Sequence, residues 1–238
     1  MTGAPLKAGA PLVAELVAER LADVSERISR ANPGPGAVKI VAVTKGFGAE
    51  AVRAAVGAGI EDIGENYAQE LLSKVAGAPR AARWHFLGEL QRNKIPRLVP
   101  YVTLWHSLSR REEVVALAKR APGASVLVEV RLEATPGRLG TDAGEVGGLV
   151  AYAAAAGLDV RGLMAVAPNR AGPPEARRCF REVAGLGRSL GLRELSMGMS
   201  SDFEVAVSEG ATMVRLGRVL FGDRPKPGSP RQGSAGLR

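Results

Sequence analysis

Two short segments, residues 41–47 and 195–224, carry the residue types best suited to chemistry. In the first segment an apolar run ends on Thr44 and Lys45, which places a primary amine at the carboxyl end of a buried strand. In the second, a turn rich in glycine, serine and methionine precedes a helix, and a short apolar run then reaches Gly217. Helix starts with small residues bind phosphate through their backbone N–H groups. The two segments therefore offer an amine that can attack a carbonyl carbon and a cradle for a phosphate.

Lys45 is the candidate nucleophile. The ordinary alternative is a surface lysine at a strand end, but Thr44 and Gly46 leave room beside the amine. An amine held against an apolar interior has a lowered pKa, and its neutral form attacks aldehydes. An amine and a phosphate cradle together predict pyridoxal 5'-phosphate (PLP), held by a Schiff base on Lys45 and by its phosphate group.

The candidate phosphate cradle has two parts. Ser200 stands directly before a predicted helix, where its alternative role is an N-cap, and Ser201 and Asp202 compete for that role. With three cap-type residues in a row, one can cap the helix while another offers its hydroxyl group to phosphate. Gly217 and Arg218 begin the last predicted helix, and their backbone N–H groups would point at the same phosphate.

Arg215 is a charged residue at an alternate position of a short predicted strand. Such a residue must face the ligand end of the strand or pair with a carboxylate. If its guanidinium faces the pyridine nitrogen of PLP, its charge opposes protonation of the ring. The cofactor then loses most of its strength as an electron sink.

Three further polar residues follow or lie within short apolar runs. Asn66 is either a helix cap or a site residue, and His85 is either a core histidine or a site residue. His106 lies in a similar run. The two histidines do not form an evident metal pair, and we predict no metal.

The rest of the chain alternates short apolar runs with amphipathic stretches, a pattern typical of parallel strands joined by helices. An introductory helix is predicted from Pro11 to a turn at residues 32–36. The predicted strands are Lys39–Thr44, Ile60–Gly64, Trp84–Leu87, Val102–His106, Ser125–Arg131, Val160–Ala165, Glu194–Met197 and Met213–Leu216. The predicted helices between them are Ala49–Ala58, Tyr67–Val75, Gln91–Leu98, Arg111–Arg120, Ala143–Ala156, Pro174–Leu190 and Asp202–Ser208.

Eight strands, each followed by a helix, predict an α/β protein whose residues 10–224 form a single (β/α)8 TIM-type barrel with an extra N-terminal helix. Sites on this fold lie where strands end, often with phosphate held after the seventh and eighth strands. Lys45 ends the first strand, which neighbours the eighth in a closed barrel. The two segments therefore become adjacent in space. Residues 1–9 and 225–238 lack periodicity and are predicted to be disordered tails.

Composition narrows the class of protein. The chain has 238 residues, 46% apolar and 24% charged, with a formal net charge of +8. Its arginines are scattered among acidic residues rather than clustered, so a nucleic-acid partner is not expected. No stretch approaches the ~20 apolar residues of a membrane helix, and the single cysteine, Cys179, permits no internal disulfide. These features predict a cytoplasmic protein that does not bind membranes.

Six motifs resemble, in the same order, those of the PLP homeostasis protein family, which is related to the barrel domain of alanine racemase. They are AVTKGF, GENYAQELLSK, WHFLGELQRNK, HSLSR, GLMAVAP and LSMGMSSDFEVAVSEGATMVRLGRVLFG, and they cover roughly residues 38–223. The resemblance implies a protein that binds PLP and buffers, carries or donates it, without known turnover and with apo-PLP enzymes as recipients. The cofactor-binding residues that it implies are Lys45 as the site of the aldimine, Asn66, His85 and Met164 lining the pocket, Ser200, Gly217 and Arg218 at the phosphate, and Arg215 at the ring nitrogen.

The chain departs from the family pattern at several positions. Residues 126–140 replace a segment that in relatives resembles an asparagine followed by Ser-Gly-Glu and a lysine. Glu89 stands where relatives often have a basic or small residue, and Ser109 where an aspartate is common. Arg218 replaces a frequent threonine, which removes a phosphate hydroxyl but keeps the backbone N–H groups.

Two other functions remain open. A PLP-dependent amino-acid racemase needs a second acid/base, for which Tyr67 is the tyrosine nearest a predicted strand end, but the related enzymes supply that group with a separate β domain for which we expect no room here. A regulatory module that acts on nucleic acid or proteins through its basic surface would show a steep salt dependence. We expect a monomer, because no apolar helix stripe remains after the barrel is covered.

Overall fold

The computed structural model describes residues 13–32, 34, 36–132, 139–168 and 172–224. The strands are β1 (Lys39–Val43), β2 (Asp62–Glu65), β3 (Arg83–Phe86), β4 (Val102–Leu108), β5 (Ser125–Arg131), β6 (Thr141–Asp142), β7 (Asp159–Ala165), β8 (Glu194–Met197) and β9 (Met213–Leu216). The helices are α1 (Ala14–Ala31), α2 (Ala49–Gly57), α3 (Ala68–Val75), α4 (Ile95–Leu98), α5 (Arg111–Arg120), α6 (Ala143–Ala155), α7 (Pro173–Ser189), α8 (Phe203–Ser208) and α9 (Arg218–Phe221).

Eight of these strands close into a parallel barrel. The sheet runs in the order β4-β3-β2-β1-β9-β8-β7-β5, and β4 pairs with β5 to complete the ring. The two-residue strand β6, which the sequence did not indicate, pairs with β5 outside the ring. Because β1 pairs with both β2 and β9, the first and last strands are neighbours. The predicted (β/α)8 barrel is confirmed.

Side chains alternate between two layers along each strand. Those that point outwards pack against the helices in one large apolar cluster, which includes Trp105, Phe180 and Phe203. Those that point inwards form a smaller apolar cluster, whose buried members are Val41, Leu104, Leu127, Met164 and Met213. Helix α1 buries Val17, Val24 and Ile28 and packs against α2, α8 and α9, so it covers the seam where β9 meets β1.

Most predicted elements lie within one or two residues of the observed ones. Helix α4 is the main correction, because residues 91–94 form turns and the helix begins only at Ile95. Pro96 then occupies its first turn, where a missing N–H costs no hydrogen bond. The two predicted disordered tails and the central part of the divergent loop, residues 133–138, lie outside the described residues. Among the described helices, none is long and apolar enough to cross a membrane.

Candidate functional site

The carboxyl ends of β1 and β9 bring the two sequence segments together. The paired strands align Val41 with Arg215 and Ala42 with Leu216, so Lys45 and Gly217 both follow strands that end at the same mouth of the barrel. A side chain at Gly217 would approach the carbonyl oxygen of Val43 to 3.2 Å. Glycine at this position therefore lets the loop after β9 pass close to β1, just before the lysine.

Lys45 lies half-buried at this mouth. Burial lowers the pKa of its amine, and the positive charges of Arg224 and Arg215 lower it further. Glu65 and Glu70 act in the opposite direction but do not outweigh these effects. The lowered pKa agrees with the expectation from sequence and favours the neutral, nucleophilic amine near neutral pH.

A buried ion pair that the sequence analysis missed holds the backbone on both sides of Lys45. Lys74 of α3 donates to Glu65 Oε1 at 2.5 Å and to the carbonyl oxygen of Thr44 at 2.8 Å. The Thr44 hydroxyl donates to the same Glu65 oxygen at 2.5 Å, and Glu70 accepts a hydrogen bond from the Gly46 N–H at 2.7 Å. The available signal was the i,i+4 spacing of Glu70 and Lys74, which places both on one face of a helix that follows Glu65.

The predicted turn after β8, the first part of the candidate phosphate cradle, is present in the structure. Gly198 has φ of +92°, and an added side chain there would meet Ala206 Cβ at 2.6 Å, so the turn requires glycine. The Asp202 carboxylate closes this turn by accepting the N–H of Met199 at 2.6 Å. The Ser200 hydroxyl oxygen accepts the N–H of Val219 at 3.3 Å, which joins the turn to the start of α9.

Two residues of the predicted cradle are exposed to solvent. Ser201 is exposed. The Arg218 side chain is 79% exposed and lies 4.0 Å from Asp223, so at the cradle Arg218 offers its backbone rather than its cation. The role of Arg218 at a phosphate therefore stays a prediction that rests on its backbone N–H group.

Arg215 is buried within the barrel. Its Nη1 donates to the carbonyl oxygen and the hydroxyl of Ser196 at 2.5 and 2.7 Å, and its Nη2 donates to the carbonyl oxygen of Ala165 at 2.8 Å. Burial lowers the pKa of Arg215 to about 10, while the carboxylates of Glu129 and Asp202 act in the opposite direction. The guanidinium remains a cation at neutral pH and lies near enough to Lys45 to affect its pKa.

His85 lies beside His106, a contact that the sequence analysis did not predict. The ring nitrogens His85 Nδ1 and His106 Nε2 are 2.9 Å apart, and His85 Nε2 lies 2.9 Å from Asp62 Oδ1. Both ring nitrogens of His85 are thus engaged inside the barrel, which matches the core-histidine alternative. The pairing of β3 with β4 made these rings neighbours, and no short-range pattern in the sequence indicates it.

Asn66 is not a helix cap, because Tyr67 occupies the N-cap position of α3. Its side-chain oxygen Oδ1 is buried and accepts no hydrogen bond from the described residues. Buried acceptors of this kind normally have a partner, so the atom fits a hydrogen-bond donor on a bound group. Met164 is 3% exposed and lies in the inner apolar cluster of the barrel.

Two of the departures from the family pattern lie close together. Glu89 accepts a hydrogen bond from Arg110 at 2.7 Å, and Glu113 accepts the N–H of Ser109 at 2.8 Å. Arg110 also donates to Glu113, so one arginine links both positions. The two residues that depart from the family pattern, Glu89 and Ser109, are therefore connected through Arg110 and Glu113 at the edge of the barrel mouth.

The charge of Arg224 provides a direct test of the Lys45 environment. Because this charge lowers the pKa of Lys45, Arg224→Gln should raise that pKa and slow the capture of an aldehyde at pH 7 by about two- to fivefold, as expected for one exposed charge. Stopped-flow absorbance with added PLP between pH 6 and pH 9 should show the rate profile displaced to higher pH. Arg188→Gln, an exposed arginine on α7, is the matched control. An unchanged profile in Arg224→Gln would contradict this account of the amine.

The barrel fold, with a lysine after its first strand and glycine-containing turns after its last two strands, defines the class of protein to which this chain belongs. The family model for the alanine racemase N-terminal domain matches residues 19–225. The chain is 42% identical over 207 residues to a pyridoxal phosphate homeostasis protein of Deinococcus radiodurans, a match that covers 84% of this chain and 97% of the relative. It is 32% identical to the Escherichia coli K12 protein of the same name, with 87% and 97% covered. The chain therefore belongs to the pyridoxal phosphate homeostasis protein family, as the sequence motifs predicted.

Solved structures agree with this assignment. PipY of Synechococcus elongatus PCC7942, solved without PLP, is 32% identical and superimposes with a TM-score of 0.78, covering 87% of this chain and all of PipY. PipY with PLP bound superimposes with a TM-score of 0.74 at the same identity and coverage. An arginine decarboxylase of Paramecium bursaria Chlorella virus, 11% identical with a TM-score of 0.69 over 87% of this chain and 63% of its own, shares the fold alone.

Proposed function

We propose that this protein binds PLP covalently, as a Schiff base on Lys45, and serves in PLP homeostasis without turning over a substrate. The observation that carries the proposal is a half-buried lysine with a lowered pKa at the barrel mouth. It lies beside the turns at Gly198 and Gly217, where the absence of a side chain lets neighbouring segments pack closely. The names of the relatives and the PLP-bound structure of PipY support the choice of ligand. PLP supplies an aldehyde for the amine and a ring whose power as an electron sink depends on protonation of its nitrogen.

Lys45 forms the bond. Its neutral amine nitrogen bonds to the aldehyde carbon, and the carbonyl oxygen leaves as water. The buried ion pair of Lys74 and Glu65 holds the peptide of Thr44, while Glu70 holds the N–H of Gly46. The backbone that carries the lysine is therefore fixed before the ligand arrives.

The remaining site residues hold and orient the ligand. The Ser200 hydroxyl and the backbone N–H groups of Gly217 and Arg218 are proposed to bind the phosphate, since Ser200 already lies against the start of α9. Asn66 Oδ1 is available to a donor on the ligand, and Met164 supplies an apolar wall, while the resemblance adds His85 to the lining.

Arg215 accounts for the absence of turnover in the proposal. A permanent cation that faces the ring nitrogen opposes its protonation, because a second positive charge nearby would be repelled. The ring is then a weak electron sink, which favours holding the cofactor over using it. We further propose a cytoplasmic monomer that passes PLP to apo-PLP enzymes.

Borohydride reduction of the PLP-treated wild-type protein tests the proposal. The chain has seven lysines, and reduction followed by peptide mass mapping should place one pyridoxyl group on Lys45. A protein that captures no PLP, or that is modified equally at several lysines, would refute the proposed site. The racemase alternative predicts exchange of the α-proton of alanine in deuterated water, an exchange lost in Tyr67→Phe, whereas a homeostasis protein should show none.

A further inference from the structure

Five polar residues form a continuous line through the interior of the barrel. Arg215 Nη1 donates to Ser196 Oγ at 2.7 Å, and His106 Nδ1 lies 3.0 Å from the same oxygen. His106 Nε2 lies 2.9 Å from His85 Nδ1, and His85 Nε2 lies 2.9 Å from Asp62 Oδ1. We refer to Asp62, His85, His106, Ser196 and Arg215 as the interior chain.

The interior chain is buried from end to end. Ser196 and His106 are 0% exposed, and the other three members are at most 6% exposed. The interior of such barrels is usually filled by branched apolar side chains, and burial of polar groups is costly unless they are hydrogen-bonded. The five residues satisfy this condition by bonding to one another, and the two ends have further partners: Arg83 donates to Asp62, and Arg215 donates to two backbone carbonyl oxygens. Loss of Ser196 or His106 would leave a ring nitrogen of a neighbouring histidine without the bond shown here.

The two ends lie towards opposite mouths of the barrel. Asp62 is the first residue of β2, and Arg83, the first residue of β3, donates to both of its carboxylate oxygens at 3.0 and 2.9 Å. Burial alone would raise the pKa of Asp62, but hydrogen bonds from His85 and Arg83 outweigh it and hold this pKa well below the usual range. Arg215 ends the interior chain inside β9, on the side of the mouth that carries Lys45, and its charge acts on that lysine.

When both histidine rings are neutral, the chemistry of the two ends sets the direction of every hydrogen bond between them. An arginine only donates and an ionised carboxylate only accepts. His85 must therefore carry its proton on Nε2 to donate to Asp62, which leaves Nδ1 as an acceptor in the neutral ring. His106 then donates from Nε2 and accepts at Nδ1 from the Ser196 hydroxyl. Ser196 in turn presents a lone pair to Arg215.

We infer that the interior chain positions the Arg215 guanidinium at the PLP site, and that Ser196, His106, His85 and Asp62 are positioning residues for cofactor binding. This inference rests on the proposed function. When both rings are neutral the Ser196 hydroxyl donates to His106, so its oxygen is free to accept from Arg215 Nη1. This bond acts with those from Arg215 to the carbonyl oxygens of Ser196 and Ala165 to fix the orientation of the planar guanidinium. A proton added to either ring would leave the serine proton without an acceptor in the chain and would place a second cation near Arg215.

Burial supports the neutral His106 ring that this arrangement requires. Burial lowers the pKa of His106 well below the ordinary value, the positive charges of Arg215 and Lys39 lower it further, and the Asp62 carboxylate acts in the opposite direction. The proton positions therefore show whether the interior chain is hydrogen-bonded from end to end, and the PLP affinity of variants shows whether it positions Arg215.

The histidine ring nitrogens of the wild-type protein provide a test without mutation. The sequence has only two histidines, and both belong to the interior chain, so ¹⁵N-¹H correlation spectra of the rings report on it alone. At pH 7, before PLP is added, both rings should be neutral with their protons on Nε2. A proton on Nδ1 of either ring, or a doubly protonated ring, would overturn the inference whether or not any variant folds.

Two substitutions test the connection to the cofactor. Ser196→Ala should raise the dissociation constant for PLP about tenfold, the effect of one hydrogen bond to a charged group, and should change the ring signals of both histidines. Asp62→Ala should also weaken PLP binding, although it lies at the far mouth. The combined variant should have a dissociation constant for PLP no higher than that of the single variant that binds PLP less tightly. Once the interior chain is broken at Ser196, a change at Asp62 can no longer affect Arg215 through it.

Ser107→Ala is the matched control. Ser107 is also a buried serine of the barrel, but its hydroxyl donates to the carbonyl oxygen of Gly88 and it does not belong to the interior chain. It should bind PLP as the wild type does. Wild-type affinity in Ser196→Ala, or effects that multiply in the combined variant, would overturn the inference while leaving the proposed function intact. A wild-type protein that binds no PLP would instead remove the proposed function and the inference with it.

Discussion

Replacement of Lys74 by methionine is expected to lower the free energy of unfolding by about 3–5 kcal/mol at neutral pH. The side chains of Lys74 and Glu65 are 3% and 0% exposed, and Nζ lies 2.5 Å from Oε1. Methionine preserves the volume of the lysine side chain but leaves the Glu65 charge buried without its cation and removes the donor to the Thr44 carbonyl. The cost comes from the uncompensated charge rather than from a cavity.

The pH dependence of this loss follows from Glu65. Burial raises the pKa of its carboxyl above the ordinary value, although Lys74 and Thr44 act against this. A carboxyl group with a raised pKa favours the folded state below its ordinary pKa and loses that contribution as pH rises through the folded value. Lys74→Met removes the main opposing charge, so its destabilisation should be larger at pH 8 than at pH 5. Urea unfolding at the two pH values measures the difference.

A double variant and a surface control complete the experiment. Glu65→Gln combined with Lys74→Met removes both charges and keeps an acceptor for Thr44, so it should be more stable than Lys74→Met alone. Lys119→Met, at an exposed lysine near the end of α5, should change stability by less than about 0.5 kcal/mol. A double variant as unstable as the single one would show that packing rather than charge controls this position.

Lys45→Ala should abolish covalent capture of PLP and weaken total PLP binding by about 100-fold or more, the equivalent of about 2.7 kcal/mol. The variant keeps the turn at Gly198, the contact of Ser200 with α9 and the buried Arg215, none of which depends on the lysine side chain. Any residual PLP should therefore be non-covalent, removable by dialysis and resistant to trapping by borohydride. Absorbance before and after dialysis, with mass spectrometry after reduction, measures both effects.

Lys39 offers a matched control for Lys45, because the two lysines lie at opposite ends of β1. Lys39 is exposed at the mouth where the strands begin, remote from the cradle. Lys39→Ala should capture PLP as the wild type does. Covalent capture that persists in Lys45→Ala, or that is lost equally in Lys39→Ala, would show that the reactive amine has been assigned to the wrong residue.

The sequence predicted the barrel well because its strands and helices differ in period and length. Strands β5, β8 and β9 were predicted with their observed bounds, since each is a short apolar run bounded by polar or turn residues. The errors are local. The turns at residues 91–94 were read as helix because their polar residues continue into α4, and the two-residue strand β6 is too short to have a periodic pattern.

The sequence by itself determined which residues lie at the barrel mouth, because strand order in a closed parallel barrel makes the first strand the neighbour of the last and so brings Lys45 to Gly217. Only the tertiary structure decided how these residues are held. The ion pair of Glu65 with Lys74 and the contact of His85 with His106 join side chains from different elements, and the Arg218 side chain turns to solvent. Such contacts depend on strand register and on the direction of individual side chains, which short-range sequence patterns do not encode.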